Sequence, residues 1–149
     1  MADYQLAQSN VARMRGPLDD PIMAGFVERL DPLNALADES PGFIWRYQTE
    51  EGNATEVRVF DDELILFNMS VWESIEALEA YVYKSNHVRA VQKRADWFER
   101  SGRSPIVLWW IDSGHIPSVE EAKTRFDKIW QNGPSADAFT FRNRYPMPL

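Results

Sequence analysis

The chain has no cysteine, and among its 149 residues there are only two histidines, His87 and His115. Without thiols there is neither a disulfide nor a thiolate metal site, and the two histidines form no His-x-x-x-His or His-x-x-Glu-His pattern, so no metal centre is expected. Basic residues are outnumbered as well: 16 Lys and Arg stand against 23 Asp and Glu, for a net charge of -7. Nucleic acids and anionic membranes are held by clustered Lys and Arg, so neither is an expected partner. The opening "MADYQLAQSNVARMR" lacks a basic region followed by a long apolar run, so no secretion signal is expected and a cytoplasmic location is. Gly-x-Gly-x-x-Gly, a Walker-type Gly-Lys-Ser and Gly-x-Ser-x-Gly are all missing. Dinucleotide, phosphate-loop and α/β-hydrolase chemistry therefore have no motif to stand on.

What is present suits one domain over residues 1–149. The chain is 44% hydrophobic and 13% aromatic, enough for a substantial core. "YQLAQSNVARM" alternates weakly and reads as a strand with one partly polar face. After "RGPLDDP", Ile22, Phe26, Val27, Leu30, Leu33 and Leu36 recur at helical spacing behind Pro21, predicting a helix bent at Pro32. "PGFIWRYQT" alternates aromatic with smaller or polar residues, as a half-buried strand does. "TEVRVF" and "ELILFNMSV" form either a hairpin or one long bulged strand. A helical region follows from Glu73 to Gly102, whole or broken near Lys84–Asn86. "SPIVLWWIDSG" is a strand apolar on both faces, and Ser118 with Glu121 caps a helix that Gly133 ends. The tail "AFTFRNRYPMPL" offers one short strand.

This order predicts an α+β fold with helices on one face of a mostly antiparallel sheet. Val107, Trp109 and Ile111 alternate with Ile106, Leu108 and Trp110, so both faces of that strand need covering. Burial of the second face against another copy of the chain is the economical solution, and a homodimer is expected.

Over nearly the whole chain, "YQLAQSNVARMRGPLDDPIMAGFVERLDPLNALADESPGFIWR", "NMSVWESIEALEAYVY", "WFER", "LWWIDSGHIPSVEEAKTRF" and "GPSADAFTFR" resemble the DUF3291 family of small bacterial proteins. That family is similar to the dimeric α+β barrel superfamily of antibiotic-biosynthesis monooxygenases, haem-degrading enzymes and stress-responsive proteins. The resemblance implies a ferredoxin-like monomer whose sheet packs on a partner's sheet. It does not imply one activity, because one fold hosts many functions.

Candidate site residues come from two places. By the strand period of two, Leu64, Leu66, Asn68 and Ser70 share one face, and Trp72 continues it. The spacing Asn68-x-x-x-Trp72 resembles the asparagine and tryptophan of quinone-forming monooxygenases that need no metal or flavin. There the pair is thought to hold a carbonyl and an oxygen species, as preorganised amide and indole N–H groups can. The competing reading has Asn68 satisfying a neighbouring backbone group and Trp72 as a core aromatic. The second place is the helical region, where Tyr83, His87, Val91, Arg94 and Phe98 fall on one stripe. His87 could move a proton and Arg94 could hold an anionic or phenolate group. Superfamily relatives place a haem-ligating histidine where this chain has Val91, so haem binding is unfavoured and no cofactor is expected.

The reading is thus a cofactor-independent monooxygenase or proton-transfer enzyme acting on a small aromatic, polyketide-like or anionic ligand. Asn68, Trp72 and His87 would be catalytic, and Trp45, Tyr83, Arg94 and Trp110 would bind the ligand. The alternative is a non-catalytic dimeric ligand-binding or stress-associated protein.

Overall fold

The structure, a computed structural model, describes residues 4–17, 19–47, 64–89 (backbone only for 85–89), 97–99 and 103–148. Its elements, in order, are β1 (Tyr4–Arg13), a 3-10 turn (Pro21–Met23), α1 (Ala24–Val27), α2 (Leu30–Glu39), β2 (Phe43–Arg46), β3 (Ile65–Trp72), α3 (Ile75–Arg89), β4 (Ile106–Asp112) and α4 (Val119–Asn132). The run "TEVRVF", the question of a hairpin there, and Arg94 all lie outside the described residues.

Local chemistry explains most of the joints. Asp20 caps the 3-10 turn through Ile22 N at 2.9 Å, with Pro21 in the first position, where its missing N–H costs nothing. The helix expected to bend at Pro32 is instead interrupted four residues earlier. A proline ring clashes with the carbonyl of residue i−4, here Glu28. At that point Arg29 N turns to Phe26 O at 2.9 Å, and α2 starts afresh with Pro32 in its first turn. The helical region expected to reach Gly102 has ended by Phe98, which bridges Met14 at the end of β1. The short tail strand is reduced to single bridges, Leu108 to Phe139 and Ser135 to Ala138.

The four strands form an antiparallel sheet in the order β2-β3-β1-β4. This order, with α1 and α2 after β1 and α3 after β3, is the expected ferredoxin-like arrangement. Partners in register point to the same face, so one face carries Leu6, Gln8 and Asn10 of β1, Trp72, Ser70 and Asn68 of β3, and Trp110, Leu108 and Ile106 of β4. Helices α2 and α3 cover this face: Ala37, Ile75 and Leu78 close on Leu6, Trp72 and Leu108. At the β2–α3 corner Gly42 sits at φ +86°, and a Cβ there would meet Ala77 Cβ at 2.5 Å. Only glycine fits that approach.

The opposite face carries Ala7, Phe67, Met69, Val71, Val107, Trp109 and Ile111, none more than 5% exposed. Its cover is α4, through Ala122, Phe126 and Ile129. The doubly apolar β4 thus has both faces buried within one chain, and the need that pointed to a second copy is met by α4. Helices accordingly flank both faces, α1 to α3 on one and α4 on the other.

Ser118 caps α4 by accepting from Glu121 N at 3.0 Å. The Glu121 side chain turns away from the cap and joins α4 to the sheet, accepting from Trp109 Nε1 at 2.8 Å and meeting His115 Nε2 at 2.7 Å. Burial works to raise the Glu121 carboxyl. Hydrogen bonds with His115 and Trp109, and the His115 and Arg125 charges, outweigh it and hold the group below its ordinary value of 4.5. A carboxyl lowered by folding adds stability that is fully present above the unfolded value and is lost as pH falls through the folded one. Glu121→Gln should therefore melt below the wild type at pH 7, with the gap closing as pH drops under 4.5. Melting curves of both proteins across that range check this; a gap unchanged by acid would assign the anchoring to shape alone.

Candidate functional site

Polar residues in the middle of a buried sheet need partners, because an unpaired buried amide costs about 1–3 kcal/mol. Five such residues meet on the face under α2 and α3. Gln8, on the inner strand β1, is 4% exposed. Its Nε2 donates to Asn68 Oδ1 at 3.0 Å and to Ser70 Oγ at 2.6 Å. Its Oε1 accepts from Asn10 Nδ2 at 3.1 Å, and the same Asn10 nitrogen lies 3.5 Å from Asn68 Oδ1. Trp72 Nε1 closes the row by donating to Ser70 Oγ at 2.8 Å. From the opposite face, Ser9 Oγ donates to the Asn68 backbone carbonyl at 2.7 Å, which steadies β3 at that position.

Counting donors and acceptors shows what the row leaves over. Both donors and the acceptor of Gln8 are engaged, and Asn68 Oδ1 accepts from two amides. Among the described residues, the Asn68 Nδ2 donors and the Asn10 Oδ1 acceptor have no partner. Both residues are half-buried, whereas Gln8, Ser70 and Trp72 are buried. The row is therefore anchored at its Trp72 end and presents unspent polar atoms at its Asn10–Asn68 end. It can hold an oxygen, and it can stabilise negative charge developing on that oxygen.

The remaining candidates distribute unevenly. Trp72 shares a sheet face with Asn68 but stands at the other end of the row; it is 0% exposed and its N–H is spent on Ser70, so it acts on Asn68 through Ser70 and Gln8. Trp45 is on the wrong face: a bulge between Phe43 and Trp45 brings it opposite Val71, against the α4 core. One slipped residue exchanges the faces of everything beyond it. Tyr83 is 70% exposed, and the aromatic of α3 that faces the sheet is Tyr81, stacked on Trp72 at 5.1 Å. Trp110 shares the face of Asn68 but gives its N–H to Tyr145 O at 3.0 Å, under the C-terminal segment. His87 belongs to α3, and its side chain, like Arg94, lies outside the described residues. His115 anchors α4 through Glu121 and stands apart from the row.

The strand period places Ser70 on the Asn68 face without giving it a role, and Gln8 and Asn10 are site residues that the sequence alone does not single out. Their signal is the partly polar face of β1, which looks like a solvent face until the register sets it against Ser70 and Asn68. A depression of about 320 Å³, lined by none of the row's residues, opens between the Ser40–Gly42 turn, Glu73 and the flank of α3 that carries Glu76, Tyr81 and Lys84. Among the described residues, no group of three or more His, Asp or Glu could hold a metal ion, and no helix is long and apolar enough to cross a membrane.

The family model for DUF3291, a domain of unknown function, matches residues 5–149. No curated protein matches the chain. Among solved structures, SnoaB, a cofactor-independent oxygenase from Streptomyces nogalater, is similar at 14% identity over 77% of this chain and 97% of its own, with a TM-score of 0.47. NE2512, a protein of unknown function from Nitrosomonas europaea, is similar at 10% identity over 78% and 97%, with a TM-score of 0.49. Likeness of this degree says nothing about activity, and the ferredoxin-like assignment stands on the strand order.

Proposed function

We propose, for a chain that belongs to the DUF3291 family of unknown function, that it takes up a small aromatic or polyketide-like molecule on the face under α2 and α3 and oxidises it with dioxygen, without a cofactor. The observation that carries this reading is the set of Asn68 Nδ2 donors, unpartnered among the described residues on an amide that Gln8 and Asn10 hold by its oxygen. A donor fixed in this way suits a carbonyl oxygen that becomes an enolate when the neighbouring carbon loses a proton. In balanced form, a CH₂ beside the carbonyl and one O₂ give a second carbonyl and one water. The substrate supplies the electrons. The spacing of Asn68 and Trp72, which resembles that of the quinone-forming monooxygenases, supports the same chemistry. His87 on α3 is the proposed proton carrier and Arg94 a proposed ligand contact. In this reading Trp72 is a positioning residue.

A second reading is a protein that binds its ligand without turning it over. The donor and acceptor at the Asn10–Asn68 end of the row serve binding by themselves. Paired aerobic and anaerobic spectra of the purified protein with a panel of hydroxylated polycyclic aromatics separate the two. Oxygen-dependent conversion supports the oxygenase, and saturable binding without conversion supports the binding protein. If neither conversion nor binding appears, the proposal fails.

A further inference from the structure

The row presents an acceptor as well as a donor. Asn10 and Asn68 are direct partners in the β1–β3 register, so their carboxamides lie side by side. Two such amides can pair fully, each donating to the other. Here only one of the two contacts is made, Asn10 Nδ2 to Asn68 Oδ1 at 3.5 Å, because Gln8 claims both groups: it donates to Asn68 Oδ1 and accepts from Asn10 Nδ2. Among the described residues, that leaves the Asn68 N–H donors and the Asn10 carbonyl oxygen without partners, neighbours of opposite polarity at the half-buried end of the row. Gln8 is itself held at its Ser70 bond, and Ser70 by the buried indole of Trp72.

We infer that Gln8 sets the polarity of this site and Asn10 supplies its acceptor, so that the ligand carries a carbonyl oxygen with an O–H or N–H donor on the next or next-but-one atom. An enolised diketone and a lactam both have that edge. A carboxylate offers acceptors only and would face Asn10 Oδ1 with like charge, and an ammonium offers donors only and would leave Asn68 unmatched. The inference rests on the proposed site but not on the oxidation, since the matching is one of binding.

The test is binding of 2-quinolone, a fluorescent aromatic lactam, against N-methyl-2-quinolone, whose donor is capped, both measured without oxygen on the full chain. The wild type is expected to bind 2-quinolone saturably and its N-methyl form about tenfold more weakly, the penalty for a buried acceptor left unpaired. Asn10→Ala should bring that ratio close to one. Gln8→Met should do the same while circular dichroism and melting show a folded protein. Gln8→Leu, which has no polar atom and cannot donate to Asn68 Oδ1 in any protonation state, should also erase the ratio and stands in if Gln8→Met does not fold.

Equal binding of the two probes by the wild type overturns the acceptor role of Asn10. An undiminished ratio in folded Gln8 variants overturns the part assigned to Gln8. No binding of either probe up to its solubility overturns the ligand class. Failure of oxygen-dependent conversion alone, with the ratio intact, would count against the oxidation and leave this inference standing.

Discussion

Asn68→Ala is expected to lower turnover of an accepted substrate by about 10²- to 10³-fold, the loss found when one donor to a developing oxyanion is removed. The fold should survive. Asn68 is half-buried, Gln8 keeps its bond to Ser70, and the main-chain pairing of Asn68 with Asn10 does not depend on the side chain. The effect should fall mainly on kcat, because a donor aimed at charge that appears only in the transition state does little for the ground state. Asn68→Asp separates donation from shape. The carboxylate still accepts from Gln8 and Asn10 but offers the substrate oxygen a negative charge in place of N–H groups, so it should be at least as damaging as alanine. Steady-state rates and melting curves of the two variants decide the matter. Near-wild-type turnover in Asn68→Asp would remove Asn68 as donor.

The same residues show what could be read from sequence and what could not. A strand period of two is enough to place Asn68, Ser70 and Trp72 on one face, because alternation is a property of a single strand. It does not say which strand lies alongside, and the partners that orient Asn68 come from Gln8 and Asn10, some 60 residues away in the chain. Trp45 was misplaced for a related reason. A bulge adds one residue to β2 without leaving a mark in composition, and the aromatics beyond it change face. On α3, the adjacent Tyr81, Val82 and Tyr83 leave the helical phase uncertain by one residue in either direction. Contact with Trp72 and Leu33 settles it in favour of Tyr81. The double apolarity of β4 correctly demanded a cover on both faces but could not say whether α4 or another chain would supply it.

Trp72→Ala should cost about 3–5 kcal/mol of folding stability, the range for emptying a large buried aromatic site. That is a large share of the roughly 5–15 kcal/mol that holds a domain of ordinary size together. Trp72 is 0% exposed, stacks on Tyr81, meets Phe43 edge-on at 5.4 Å, and joins the helical layer to the sheet. The loss should appear in denaturant titrations as a lower midpoint with an unchanged slope. Trp72→Phe is the informative companion. It keeps an aromatic ring in the site but loses the five-membered half of the indole, with the N–H that Ser70 receives at 2.8 Å, at a cost of about 1–3 kcal/mol from the lost hydrogen bond and the small cavity. Because that N–H is already spent inside the protein, Trp72→Phe should slow turnover far less than Asn68→Ala. If the indole instead donated to the reacting oxygen, the two variants would fall by comparable factors. Rates measured side by side therefore distinguish a tryptophan that holds the row in place from one that shares in the chemistry. Ser70→Ala provides the control: it removes the acceptor that Gln8 and Trp72 share, and should loosen Asn68 without emptying the core around Trp72.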